Sequence, residues 1–350
     1  MNYNHNLPDL TKSGTRPLGR LARVAIVSVA ALAVTLGMEA ASAQIPYLDA
    51  KAGDLVDVKL GELYPTQAVL GLFEVYYKLG RYQAGKDKIN KRFDDWCEAN
   101  GQEKAETADA NSRLDDPASF TCAVALGSET AATIDPMKTV VIGPRGKLYL
   151  VDGHHTFTSF MESPDGGANM HVRARVLANL SKLNERSFWK TMKASGWVWL
   201  RDEDNRPIPV GKLPKRLGLA NFKNDDYRAV VYFTRDVAYA QRPNNANYQE
   251  FYWGAWLRTN PDFDLKAFNL TDFDGYVGAV KKAAELMSDL AGTDPVSTGY
   301  TAAALGRIDF NTSEFTKVSG SYCTSKPGKV AYASYYYHNI LGNSPQIVCP

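Results

Sequence analysis

The stretch Thr139-Val-Val-Ile-Gly-Pro-Arg-Gly-Lys147-Leu-Tyr-Leu-Val-Asp-Gly-His-His155 decides how this chain is read. Two short apolar runs flank a Pro-Arg-Gly turn, which predicts a β-hairpin. Asp152-Gly153 ends the second strand, and a short helix follows from His154, with Phe157, Phe160 and Met161 toward the core. Gly153 permits a positive φ, and the free N–H groups that open the helix favour an anion. Two of the five histidines in the chain sit at this one turn. Being adjacent, His154 and His155 cannot share a helical face. The expectation is one imidazole in a cleft, titrating near neutral pH for acid–base work, and the other anchoring the turn. Asp152 either orients an imidazole or caps the helix. The plain alternative is that Asp-Gly-His-His only closes a turn. Adjacent histidines lack the i, i+4 spacing of helical metal ligands, so no metal ligand set is assigned, though a divalent cation held by distant groups stays open.

Outward from the hairpin, residues 54–60 alternate as a strand. Pro65 is placed to open a helix whose apolar stripe runs through 69, 72, 73, 76 and 79, with Gly80 as its stop. Glu74 and Lys78, four apart, predict a surface ion pair. Residues 82–116 are polar helix and loop. Downstream, His171–Leu177 reads as a strand and Ser187–Ser195 as a helix. The proline-rich loops at Arg206-Pro-Ile-Pro and Leu213-Pro mark a boundary. Beyond it, 227–240, 248–258 and 276–290 read as helices, and the aromatics of Ser334-Tyr-Tyr-Tyr-His338 read as packing. The fold class is α+β: a small mixed-sheet domain over 44–205, then a mainly helical, aromatic-rich region over 206–350.

Residues 1–43 read as a secretory signal peptide. Lys12, Arg16, Arg20 and Arg23 precede the apolar run 24–38, and Ala41-Ser-Ala43 supplies a cleavage site before Gln44. The run is short for a membrane span, and an uncleaved N-terminal anchor is the alternative. The expected product is exported, periplasmic or extracellular, with no membrane attachment after cleavage. In an oxidising compartment the four cysteines favour two local disulfides, Cys97–Cys122 and Cys323–Cys349. Residues 1–43 hold four of the 40 basic and two of the 38 acidic residues, which leaves 36 of each. Such neutrality argues against tight, non-specific gripping of DNA.

The hairpin with Leu150-Val-Asp-Gly-His-His resembles the signature of the ParB/sulfiredoxin superfamily, and more closely its secreted branch of ParB-like nucleases. Leu63-Tyr-Pro-Thr-Gln67 with Val69-Leu-Gly-Leu-Phe-Glu-Val75 resembles that branch's opening motif. So do Phe188-Trp-Lys-Thr-Met192 with Gly196-Trp, Asp226-Tyr-Arg228, and Glu250-Phe-Tyr-Trp253. The resemblance runs from about residue 54 to 260. It implies a mixed-sheet domain whose strand-end glycine delivers a helix N-terminus to nucleotide phosphates. His154 falls where relatives place a catalytic cysteine or glutamate, and His155 where they place a phosphate-contacting His or Arg. Thr156 replaces a usual arginine, and a hydroxyl is no substitute for a bidentate cation. Arg173 or Arg175 is the expected replacement.

The resemblance implies a phosphodiesterase acting on nucleic acid or nucleotide phosphate. In it His154 is the general acid/base, His155 stabilises the phosphate and Asp152 orients. Gly153 and Thr156 supply turn and donor, and Gln67 and Glu74 line the cleft. A nucleotide-dependent phosphoryl-transfer protein and a non-enzymatic anion- or partner-binding protein are the alternatives. Cofactor and oligomeric state are not legible in the sequence.

Overall fold

The computed structural model describes residues 47–241 and 246–349, and the expected signal peptide lies outside them. The unit Gln44–Pro350 opens with β1 (Leu55–Lys59), β2 (Leu63–Pro65), β3 (Val69–Leu70), α1 (Leu72–Ala84) and α2 (Lys91–Ala99). There follow β4 (Ala105–Thr107), β5 (Thr121–Cys122), α3 (Ala131–Ile134), β6 (Thr139–Ile142), β7 (Leu148–Asp152), α4 (His154–Glu162), β8 (His171–Asn179) and α5 (Glu185–Ala194). After β9 (Lys223–Asn224) the chain is mainly helical: α6 (Asp226–Phe233), α7 (Gln249–Thr259) and α8 (Phe273–Asp289). It ends through β10 (Pro295–Ser297), β11 (Tyr300–Thr301), α9 (Thr312–Ser319) and α10 (Lys329–Tyr335). The fold class is α+β, as the sequence predicts.

Five strands form one mixed sheet in the order β1-β8-β6-β7-β2. The predicted hairpin is its centre: β6 and β7 pair antiparallel, and Gly143 N–H closes the turn on the Lys147 carbonyl at 2.8 Å. All of β6 and the first four residues of β7 are buried, because the hairpin is covered on both faces. Val140, Ile142, Leu148 and Leu150 join Phe157 and Phe160 of α4 in the first core. Val141, Tyr149 and Val151 meet Phe188 and Met192 of α5 on the other side. Full burial of Phe157 and Phe160 is worth about 1.5–3 kcal/mol each.

A further core joins α6, α7 and α8, with Val230, Phe233, Trp253 and Val280 fully buried. Helix α1 serves both: Val75 and Leu79 lie in the first core, and Tyr77 in the helical one. Both disulfides, Cys97–Cys122 and Cys323–Cys349, are formed as expected, with Cα atoms 5.7 and 5.2 Å apart. Among the described residues no helix is long and apolar enough to cross a membrane.

Three local expectations are corrected. Pro65 does not open a helix; it ends β2, a sheet edge where its missing N–H costs no ladder bond, beside Leu150. Helix α1 starts instead at Leu72. Gly80 does not stop that helix, which continues to Ala84 and a left-handed Gly85. A Cβ on Gly80 would lie 2.0 Å from the Tyr332 carbonyl oxygen, so the glycine lets α10 approach. Glu74 and Lys78 do not pair at the surface: Lys78 Nζ reaches Asp95 at 3.1 Å, and Glu74 is buried against Arg228.

Candidate active site at the His pair

Gly153 takes φ 107° at the start of α4, and a Cβ there would meet Lys138 Cγ at 2.6 Å. From this turn the two imidazoles diverge. His154 Nε2 accepts the Thr66 N–H at 3.1 Å, and His155 Nε2 accepts the Gly71 N–H, also at 3.1 Å. They therefore clamp both ends of the segment between β2 and α1. An Nε2 that accepts places the ring proton on Nδ1 of a neutral imidazole. Burial, and then the Arg228 charge, hold His154 down at about 3 and push His155 well below its ordinary value. The 3.6 Å approach of His155 Nε2 to Glu74 is accordingly no ion pair.

This corrects the expectation of an imidazole in a cleft titrating near neutrality. Both rings are buried, at 2% and 7% exposure, and both act as neutral acceptors. The expected role of Asp152 is corrected too. Its carboxylate is mostly exposed and faces Lys138 Nζ at 3.8 Å, not an imidazole, and α4 has no side-chain cap. Arg173 is also diverted: its guanidinium binds Glu129 and the Asn100 carbonyl, the latter at 3.2 Å. Thr156 is half-buried on α4. Gln67 is buried but turned to the Val69 carbonyl at 2.7 Å.

Of the expected residues, Glu74 leads furthest. It is buried and ion-paired to Arg228, itself only 4% exposed. Arg228 Nη2 lies 3.9 Å from Glu250, which also holds Arg235 and accepts from the Tyr239 hydroxyl at 3.2 Å. Burial alone would raise the Glu250 carboxyl, but Arg235 and Arg228 outweigh it and hold it at about 2. The four groups form an alternating row of two carboxylates and two guanidiniums. Arg228 Nε is buried with no hydrogen-bond partner. On the His154 side, Thr66 Oγ1 bonds the Leu150 carbonyl at 2.5 Å and lies 2.7 Å from the Tyr248 hydroxyl. That hydroxyl in turn donates to the Trp197 carbonyl at 3.0 Å.

Arg228, Glu250 and Thr66 lie in motifs quoted from the sequence but were given no role there, and Arg235 and Tyr248 were not singled out. A signal did exist: Arg228 sits against the apolar run of α6, and a charge that is buried there needs a partner. Among the described residues no three His, Cys, Asp or Glu side chains converge as a metal site.

The architecture is thus an α+β domain whose separated motifs meet at one buried ionic row. The family described as "Putative ParB-like nuclease" matches residues 56–259, and the chain belongs to it. No curated protein matches. Among solved structures, protein Atu1540 from Agrobacterium tumefaciens is similar at 21% identity and a TM-score of 0.43, over 66% of this chain and 90% of that one.

Proposed function

We propose that the chain is an exported ParB-like nuclease, a phosphodiesterase whose phosphate-receiving groups are Arg228 and Arg235. The observation that supports this is convergence. Motifs at 63–75, 150–155, 226–228 and 250–253 are far apart in sequence, yet all contribute to one hydrogen-bonded and ion-paired centre. Guanidinium groups suit phosphate because their planar fork donates two parallel hydrogen bonds. In a water-poor site they also stabilise developing charge more than they would in solvent. Arg228 Nε supplies a donor not consumed by the protein. His154 and His155 act as positioning residues, fixing the 66–71 segment from which α1 presents Glu74. Export is supported by the two disulfides, which fit an oxidising compartment.

A non-enzymatic anion-binding protein is the second reading. It is favoured by the engagement of Glu74, Glu250 and both imidazoles with protein partners, which leaves no evident free base. Cleavage of single- and double-stranded nucleic acid, with divalent cations and with EDTA, separates the two. A nuclease loses cleavage in Arg235→Gln while the variant stays folded. No cleavage by the unaltered protein under any condition discards the first reading in favour of the second.

A further inference from the structure

A cavity of about 490 Å³ lies between the end of α1 with its following loop and the segment 317–332. Its lining carries six cations, Arg81, Lys86, Lys88, Lys317, Lys326 and Lys329, against one carboxylate, Asp87. In a protein whose mature charge balances, such a concentration is local and one-signed. The single carboxylate is already spent, since Arg81 grips it with two bonds of 2.9 and 2.7 Å. Lys86 donates to the Tyr322 carbonyl at 2.9 Å and stands 4.2 Å over its ring. Lys317 pairs with Glu314 at 2.5 Å.

Lys88, Lys326 and Lys329 make no direct ion pair with a carboxylate among the described residues. Lys329 is the most telling, because its ammonium is partly buried and also feels Arg235. Burial first, then that neighbouring cation, lowers its proton affinity. Asp236, Glu314 and Glu74 act the other way without offsetting this, so a cation held there by no direct ion pair gains from an arriving anion. A cleft with one sign of charge and low-dielectric walls also focuses its field on such a ligand.

We propose that this cavity is a binding site for a multiply charged phosphate anion, held by Lys88, Lys326 and Lys329. Neutralising them takes about three negative charges, which a chain of phosphates supplies and a lone carboxylate does not. The volume is that of a small-ligand pocket. Much of the wall, from Lys317 to Tyr332, lies beyond residue 259, so the site extends past the family-matching segment. The loop bearing Ser325 and Lys326 is tied down by Cys323–Cys349. The phosphates could belong to a free oligophosphate, a nucleotide or a nucleic-acid strand, and the recognised group is the same.

The test is calorimetric titration of the disulfide-intact protein at low salt with inorganic tripolyphosphate, a nucleoside triphosphate and a short single-stranded oligonucleotide. Tripolyphosphate should bind, weaken steeply as salt rises, and compete with whichever of the other two binds more tightly, which identifies the source. Lys88→Gln/Lys326→Gln, exposed positions that spare the fold, should weaken tripolyphosphate by about tenfold or more. The charge-matched Lys190→Gln/Lys193→Gln on α5 should leave it unchanged. No binding of tripolyphosphate, or equal loss in both double variants, overturns the site. Tripolyphosphate has no phosphodiester, so this result stands apart from the cleavage assay: the protein can bind it and cleave nothing, or cleave and fail to bind it.

Discussion

His154 and Thr66, 88 residues apart in sequence, are joined through the imidazole Nε2 and the backbone N–H at 3.1 Å. The bond is buried, so its removal leaves an orphaned donor as well as a cavity. His154→Ala should therefore cost about 3 kcal/mol, the orphaned donor alone accounting for about 1–3. His154→Gln, which keeps an acceptor near the Nε2 position, should recover a large part. Urea midpoints of the three proteins check this, and equal midpoints for Ala and Gln would refute the hydrogen-bond account.

Acid should unfold this protein earlier than its carboxylates alone require. His154 is held at about 3 in the folded chain against an ordinary 6.5, so between those values the unfolded chain binds the extra proton. Stability is unaffected by this group above 6.5 and falls as pH drops below it, by about 1.4 kcal/mol per pH unit. His155, depressed in the same direction, steepens the fall. Unfolding free energy measured from pH 7.5 to 4.5 should show this slope, reduced in His154→Gln.

The Glu74–Arg228 pair is buried on both sides. Breaking it from one side leaves an uncompensated charge, so Glu74→Gln or Arg228→Met should each cost about 3–5 kcal/mol. The double variant should cost less than the sum, because neither charge is then stranded. A double-mutant cycle in guanidinium chloride reads the difference directly. Additive losses would mean that the two side chains do not interact.

Gly80→Ala sets two effects against each other. Alanine gains about 1 kcal/mol in helix propensity. The new Cβ, however, would stand 2.0 Å from the Tyr332 carbonyl oxygen, which is backbone and yields only by shifting α10. Overpacking of this kind costs about 1–3 kcal/mol, so the net result should be destabilising. A raised thermal midpoint would show that α1 and α10 are not so closely packed.

The legible parts of this molecule were those with local causes. The hairpin, β8 and α5 announced themselves through period and turn chemistry, and the cysteine pairs through short spacing in an expected oxidising compartment. Position 65 misled because a proline at a helix start and one at a parallel sheet edge look alike in sequence. The His pair drew notice through its rarity, but burial, which spacing does not report, turned two titrating groups into neutral clamps. Arg228 and Glu250 went unassigned because their roles arise only when α6 and α7 pack beside α1. Charges on separate helices carry no sign of meeting.

Helix α1 belongs to the family-matching segment, yet part of its surface is completed from outside it. Tyr76 stacks on Tyr336 at 5.5 Å, Phe73 on Tyr276 at 4.0 Å, and the Gly80 notch receives α10. The segment 56–259 is therefore not a portable module. Cut out by itself, it would carry a raw aromatic seam along the very helix that presents Glu74, and it should self-associate before it could be assayed.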